Sequence, residues 1–266
     1  MVKLPGLAEM LSAGVHFGHQ KSRWHPKMKE FLFGTRNGVH IINLERTQEE
    51  LEKALNYVKG LAAEGKVILF VGTKRQAREL LKDAAQKCGM PYLSERWIGG
   101  LVTNFEEVKK RLKRYDELKE MLKTGDVEKY TKKEQGQFKK TLAKMDKYLF
   151  GLVGLTKMSD ALYVADMRTE KTALAEAQRK RVPVVAVSDS NTDPSKVDYA
   201  IPANDDALGA IKMMADLVAE AINEGKQAWE AKKAEKIKEA AAAAATAKAE
   251  EKPVKERKAV KKEESI

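Results

Sequence analysis

Short apolar runs alternate along the chain with longer stretches whose apolar residues recur at helical spacing. The run VILFVG at 67–72 is continuously apolar, as in a strand buried on both faces of a parallel sheet. Alternation of strands and helices with short connections predicts an α/β fold, a doubly wound parallel sheet with helices on both faces. The other predicted strands are 39–44, 90–94, 160–166, 182–190 and 197–202, and the predicted helices are Thr47–Gly60, Arg75–Cys88, 170–181 and Asp205–Glu224.

The region 104–152 interrupts this alternation. Apolar residues from Phe105 to Leu122 follow a three-four spacing, and a second stripe runs from Phe138 to Leu152. The intervening Gly125 and Asp126 are turn residues. Two such stripes bury each other when the helices pack as a hairpin, so we predict an inserted antiparallel coiled-coil arm.

The segment before residue 37 and the segment after residue 225 lack this organisation. HFGHQKSRWHPKMKEFLFGTR interleaves basic and aromatic residues, a composition that suits contact with nucleic acid. Alanine, lysine and glutamate dominate the end of the chain, which predicts a partly helical or disordered tail. The predicted divisions are 1–36 (basic N-terminal docking segment), 37–103 and 153–225 (two parts of the α/β domain), 104–152 (arm) and 226–266 (tail).

Charge is distributed unevenly and indicates the class of partner. The net charge is +11. Residues 104–150 carry 14 Lys and Arg against nine acidic residues, whereas 151–225 carry eight against 12. This excess outside the second half of the core favours an anionic partner. No apolar run reaches the length of a membrane span, so no membrane partner is expected. The one cysteine, Cys88, excludes an intrachain disulfide, fits a reducing cytoplasm, and is expected to be a buried, inert thiol.

The sequence offers three candidate catalytic or ligand sites, and each has a simpler alternative role. His16, His19 and His25 could bind zinc, but basic residues surround them and no cysteine lies nearby, so packing or RNA contact is favoured. VGTKRQA at 71–77 could bind a phosphate at a helix start, although it lacks the spacing of a P-loop. Asp189 follows a strand, where α/β enzymes place their chemistry, yet DSNTDP also fits a simple turn. A nucleotide-binding hydrolase that uses the 71–77 turn, with Asp189 as a magnesium ligand, therefore remains the alternative to a binding protein.

Five motifs in fixed order resemble one known family. They are HFGHQKSRWHPKM (16–28), FGTRNGVHIINL (33–44), FVGTKRQA (70–77), ERWIGGLVTNF (95–105) and DSNTDPSKVDYAIPANDDA (189–207). In this order they resemble the S-two family of small-subunit ribosomal proteins in its bacterial form. The resemblance extends from about Leu4 to Ala221 and includes the arm.

The resemblance implies a flavodoxin-like three-layer fold with a parallel sheet of about five strands, in the order 2-1-3-4-5. It implies a non-catalytic protein of the cytoplasmic ribosome that has no cofactor, metal or small-molecule substrate. Its partners would be small-subunit rRNA, neighbouring ribosomal proteins and the large mRNA-binding protein S-one. Basic and aromatic residues in the matching motifs and on the arm are then the candidate RNA-binding residues: Arg23, Trp24, Lys27, Lys29, Arg36, Lys74, Arg75, Arg96, Lys109, Lys110, Arg111, Lys113 and Arg114.

Overall fold

The structure is a computed structural model that describes residues 3–233. Its first elements are a short helix, α1 (Leu7–Ser12), and a three-stranded antiparallel sheet in the order β1-β3-β2. The strands of this sheet are β1 (Phe17–Gln20), β2 (Leu32–Arg36) and β3 (Val39–Ile42). Asn37 and Gly38 both have positive φ angles, of 50° and 77°, and form the tight turn that the twist of a two-strand ribbon requires.

The strand predicted at 39–44 is β3, but it does not belong to the parallel sheet that the strand–helix alternation implied. His40 and Ile42 are buried while Val39 and Ile41 are only half-buried. This period of two is typical of an antiparallel sheet with one covered face. Strands β1 and β2 were not predicted, because their glycine and basic residues carry little apolar periodicity.

The larger sheet has five parallel strands in the order β5-β4-β6-β7-β8. They are β4 (Ile68–Val71), β5 (Tyr92–Leu93), β6 (Ala161–Val164), β7 (Val184–Ser188) and β8 (Tyr199–Pro202). Counted within this sheet, the order is 2-1-3-4-5. The predicted α/β fold is therefore confirmed. Every residue of β4, β6 and β7 is buried, which explains their continuously apolar sequences.

Helices cover both faces of the parallel sheet. They are α2 (Leu44–Ala63), α3 (Arg78–Cys88), α4 (Phe105–Thr124), α5 (Lys132–Leu149), α6 (Lys171–Lys180) and α7 over residues 208–233. Ile68 and Phe70 of β4 pack with residues of α2, α3 and α7. Leu69 and Val71 point to the opposite face and pack with α6 and the base of α4. Because side chains alternate along a strand, one short strand contributes to two hydrophobic cores.

Three helix starts differ from the prediction, each for a local reason. Asn43, not Thr47, caps α2, because its Oδ1 accepts the Glu45 N–H at 3.0 Å. Helix α3 starts at Arg78 and not at Arg75, since the Ala77 and Arg78 N–H groups both donate to the Lys74 carbonyl in a preceding turn. Helix α7 starts at 208 and not at Asp205, because Asn204 Oδ1 accepts the N–H groups of Asp206 and Ala207 in the preceding turn.

Helices α4 and α5 lie where the arm is predicted and pack against each other. The link between them contains Gly125, with φ of 79°, and the 3₁₀ turn Asp126–Lys129. Tyr115 of α4 is fully buried, and its hydroxyl donates to the Asp146 carboxylate of α5 at 2.5 Å.

The predicted boundary at residue 36 falls at the β2–β3 turn, so it divides one hairpin. Residues 226–233 of the predicted tail continue α7, and residues 234–266 lie outside the described part of the chain. Among the helices within residues 3–233, none combines the length and the apolar character needed to cross a bilayer. Cys88 is buried, and burial raises the pKa of its thiol to about 11, which agrees with the expected inert role.

Candidate nucleic-acid interface

The basic N-terminal segment is fixed to the carboxyl edge of the parallel sheet through the loop after β7. The His25 N–H donates to the Ser190 carbonyl at 2.7 Å, and the His19 N–H donates to Ser190 Oγ at 2.7 Å. Gly18 allows this approach, because a Cβ at that position would lie 2.8 Å from Ser190 Oγ. The backbone that carries the candidate cations is thus held in place.

Four candidate cations project from this fixed backbone. Arg23, Lys29 and Arg36 are exposed, and none of them forms an ion pair within residues 3–233. Lys27 is also exposed, but its ammonium lies 3.0 Å from Asp193 and donates to Ser195 Oγ at 2.6 Å. Three unpaired cations on a fixed segment can bind phosphates without first breaking an internal ion pair.

Trp24 packs against the antiparallel sheet, and the nearby histidines make local contacts. Trp24 is half-buried, and its ring lies 5.3 Å from that of the buried His40. The Nδ1 atom of His25 accepts the Lys27 N–H at 3.3 Å and so caps a 3₁₀ turn. His16 packs on Phe17 at 4.0 Å, and burial lowers the pKa of its imidazole. The geometry favours a packing role for Trp24.

An ion-pair network fills the carboxyl edge of the sheet beside this segment. The Lys74 ammonium lies 2.8 Å from Asp205, 2.7 Å from Asp206 and 3.6 Å from Asp166. His19 lies 3.0 Å from Asp189, and its other nitrogen lies 3.5 Å from Asp206. A hydrogen bond to Asp189 raises the pKa of His19. Burial and the charges of Asp166 and Asp189 raise the pKa of Asp205 to about 7.

This network bears on the metal question raised by the three histidines. Of the three, only His19 belongs to a described cluster with possible ligand atoms close together, and its companions there are Asp205 and Asp206. The Lys74 ammonium already contacts both of those carboxylates, at 2.8 and 2.7 Å. A protein cation therefore offsets part of the negative charge that would attract a metal ion.

Internal carboxylates also engage the polar groups of the 71–77 turn, which removes support for the nucleotide-binding alternative. The Thr73 N–H, which could face a phosphate, donates to the Glu170 carboxylate at 2.7 Å. Order 2-1-3-4-5 places the usual ligand crevice between β4 and β6, where Lys74 meets Asp166. Arg75 is exposed, as is Arg96 at a separate loop.

The arm presents the second group of candidate cations. All five of them, Lys109, Lys110, Arg111, Lys113 and Arg114, are exposed on α4. Lys110 pairs with Glu107 at 2.6 Å, and Lys113 lies 3.8 Å from Glu117. Exposed pairs of this kind are weak, so they leave these lysines able to exchange partners.

The structure also brings together basic residues that the sequence analysis did not select. Arg168, Lys171 and Lys196 line one cleft with Arg23. They come from the loop after β6, the start of α6 and the turn before β8, so no sequence motif joins them. Their position after the carboxyl ends of strands was the available signal.

Comparison with known proteins identifies the family. The model of the family described as ribosomal protein S2 matches residues 10–225. The chain belongs to the ribosomal protein S2 family. A curated relative, the small ribosomal subunit protein uS2 of Coprothermobacter proteolyticus, is 48% identical over 221 residues, which are 83% of this chain and 82% of the relative.

Membership of the S2 family confirms the resemblance drawn from the five motifs. The family makes this chain a ribosomal protein with a structural role in the small subunit. The matched region includes the N-terminal segment from residue 10, the parallel sheet and both helices of the arm. The family match does not support the nucleotide-hydrolase alternative.

Proposed function

We propose that this ribosomal protein binds small-subunit rRNA through two basic surfaces. The N-terminal surface consists of Arg23, Lys27, Lys29 and Arg36, and the arm surface consists of Lys109, Lys110, Arg111, Lys113 and Arg114. One observation carries the proposal. Arg23, Lys29 and Arg36 are exposed and unpaired within residues 3–233, on a segment whose backbone is hydrogen-bonded to the sheet. Such a surface is ready to bind phosphates at fixed positions.

The three remaining basic candidates contribute unequally to this proposal. Lys74 is held by three carboxylates, so it acts in positioning the N-terminal segment and the loops around it. Arg75 and Arg96 are exposed and remain proposed RNA contacts. Trp24 acts by supporting the segment from below, through its packing on His40.

Binding by these surfaces follows from elementary electrostatics. Each phosphate that a cation neutralises releases counterions, so affinity falls as salt rises. A folded rRNA presents phosphates and 2′-hydroxyls in a defined shape, which fixed cations can recognise without reading a sequence.

The chain acts in this proposal by binding alone, without catalysis and without a cofactor. Asp189, the strongest catalytic candidate in the sequence, accepts hydrogen bonds from the Ser190 N–H and hydroxyl and also faces His19. A carboxylate engaged on these sides is a structural group that orders the loop after β7. Its partners belong to the N-terminal segment, to that loop and to the turn before α7, where the Asp205 N–H donates to it at 3.4 Å.

A protein partner is proposed for the outer face of the antiparallel sheet. Phe33 is 80% exposed, and with Leu11 and Phe17 it lines a groove of about 740 Å³. Exposed apolar patches of this kind mark contacts with proteins more than with RNA. The resemblance names S-one as the partner, and a Phe33→Ser variant is expected to retain less S-one on purified small subunits than the wild type does.

Three substitutions test the RNA-binding proposal. A chain with Arg23→Ala, Lys27→Ala and Lys29→Ala is expected to leave small subunits at lower salt than the wild type. Loss of three phosphate contacts lowers the slope of log affinity against log salt by about 2 to 3. The matched control replaces Lys53, Lys82 and Lys87, three cations on α2 and α3 outside both basic surfaces, with alanine. Equal salt sensitivity of the two triple variants would contradict the proposal.

A further inference from the structure

A cleft of about 500 Å³ lies beside the N-terminal surface, at the carboxyl edge of the parallel sheet. Its walls are the loop after β6, the exposed side of α6 and the loop after β7. Arg23 reaches the cleft from the N-terminal segment, so the cleft continues a surface already assigned to RNA.

Four cations surround this cleft and lack internal partners. Arg23, Arg168, Lys171 and Lys196 are exposed, and no ion pair involves them in the part of the chain from 3 to 233. The one acidic residue that lines the cleft is Asp193. The cleft therefore presents a local excess of positive charge at its rim.

The charge of Asp193 does not cancel this excess, because it is matched from outside the cleft. Its carboxylate accepts hydrogen bonds from Lys27 at 3.0 Å and from Ser195. Although burial acts in the opposite direction, these hydrogen bonds lower the pKa of Asp193 to about 2. The cleft lining therefore contains no unpaired carboxylate that could neutralise the four cations, and they remain available to bind an anion.

The floor of the cleft suits a nucleobase better than a bare phosphate. Met167 and Leu174 are buried apolar residues in its lining, and the exposed Ala175 leaves room above them. The Oδ1 of Asn191 has no hydrogen-bond partner among the described residues, so rotation of this amide can offer an acceptor to a base edge. Apolar contact for a ring, an amide for its edge and cations for its phosphate are the features that hold unstacked nucleotides.

We propose that the cleft holds one unstacked nucleotide of the small-subunit rRNA. Arg168, Lys171 and Lys196 would contact its phosphate, and its base would lie against Met167 and Leu174. This inference rests on the proposed function and makes it specific, because it assigns a single nucleotide to a defined position beside the N-terminal surface.

A steric variant separates entry of a nucleotide from general attraction by charge. Ala175→Tyr fills the cleft without changing any charge, whereas Arg168→Ala with Lys171→Ala removes charge without filling it. Arg179→Ala with Lys180→Ala is the matched control, since both residues are exposed at the other end of α6 and neither lines the cleft. Circular dichroism melts of each full chain establish that the variants fold, and Ala175→Leu replaces the tyrosine variant if that one does not.

The measurement is chemical probing of rRNA in small subunits that carry each tagged full-length chain, purified on sucrose gradients. We expect one short patch of nucleotides, protected by the wild type and by the control, to react in the steric and charge variants. Failure of a folded steric variant to join small subunits, with normal incorporation of the control, gives the same support. The charge variant is also expected to lower the salt slope of retention by about 1.4.

Three outcomes would overturn the inference or its foundation, and they are distinguishable. An unchanged footprint with the steric variant would show that no nucleotide enters the cleft, while RNA binding by the N-terminal surface would stand. Micromolar binding of uridine monophosphate by the free chain, lost in the steric variant, would assign the cleft to a free nucleotide. Absence of the wild-type chain from small subunits would refute the proposed function itself.

Discussion

Replacement of Glu176 by alanine is expected to destabilise the fold at the base of the arm. The Glu176 carboxylate on α6 accepts five hydrogen bonds from the loop that leads into α4. The donors are Trp97 Nε1, the N–H groups of Gly100, Val102 and Thr103, and Thr103 Oγ1, at 2.9 to 3.2 Å. One carboxylate thus fixes several residues of this loop, and its removal leaves their donors without a shared acceptor.

The size of the effect follows from which donors lose access to water. Trp97 and Val102 belong to buried residues, whereas the loop at Gly100 and Thr103 is partly exposed and can rehydrate. An unsatisfied buried donor costs about 1–3 kcal/mol, so two of them destabilise the chain by about 2–6 kcal/mol. In a protein of this size that corresponds to a fall in Tm of at least about 4 °C.

Urea unfolding of the full chain, followed by far-ultraviolet circular dichroism, measures this loss. Glu79→Ala is the control, because Glu79 is highly exposed, its pair with Lys82 is long at 3.5 Å, and a change within about 0.5 kcal/mol is expected. A Glu176→Ala variant whose free energy of unfolding stays within about 0.5 kcal/mol of the wild type would show that these hydrogen bonds do not stabilise the base of the arm.

The same residue predicts a dependence on pH. Burial opposes it, but hydrogen bonds from Trp97, Gly100 and Thr103 hold the pKa of Glu176 below its ordinary value of 4.5. A carboxyl whose pKa is lower in the folded chain stabilises the fold above the unfolded pKa and loses that effect as the pH falls. The difference in stability between wild type and Glu176→Gln is therefore expected to shrink below pH 4.5.

Two further predictions concern the N-terminal segment and the arm. The hydrogen bond to Asp189 raises the pKa of His19, so protonated His19 stabilises the fold fully below pH 6.5 and loses this effect as the pH rises through the folded pKa. His19→Gln is therefore expected to flatten the fall in stability above pH 6.5. An equally steep fall in the variant would contradict this. Tyr115→Phe removes the hydroxyl that is hydrogen-bonded to the exposed Asp146 and is expected to lower the free energy of unfolding in urea by about 1 kcal/mol. Tyr115→Ala also removes the buried ring and is expected to lower it by about 3–5 kcal/mol. Similar losses in the two variants would show that ring packing does not hold the arm together.

The parallel sheet could be predicted because its strands carry strong local signals. VILFVG at 67–72 is apolar throughout, since both faces of β4 are covered by helices. The start of α3 was misplaced because Lys74 and Arg75 have good helix propensity, while the position of Lys74 in the turn depends on distant carboxylates. Helix propensity is a property of each residue alone, whereas the ion pairs that override it here form only between segments distant in sequence.

The candidate interface was only partly predictable for the same reason. The cations of the N-terminal segment stand out by composition, yet their fixed position depends on Ser190, which lies 171 residues from His19. The sequence allowed Trp24 either to stack on a base or to pack against the sheet edge, and only the fold shows its contact with His40. Arg168 and Lys196 belong to separate loops, so the cleft they share exists only once the sheet has formed.

Ultraviolet crosslinking of purified small subunits, with mass spectrometry of the peptides that retain a nucleotide, shows which parts of this chain contact rRNA. We expect these contacts at the N-terminal surface and the arm surface. Nucleotide-bearing peptides are therefore expected to contain Arg23 to Arg36 and Lys109 to Arg114. Crosslinks confined to other parts of the chain, with both of these regions recovered unmodified, would contradict the account.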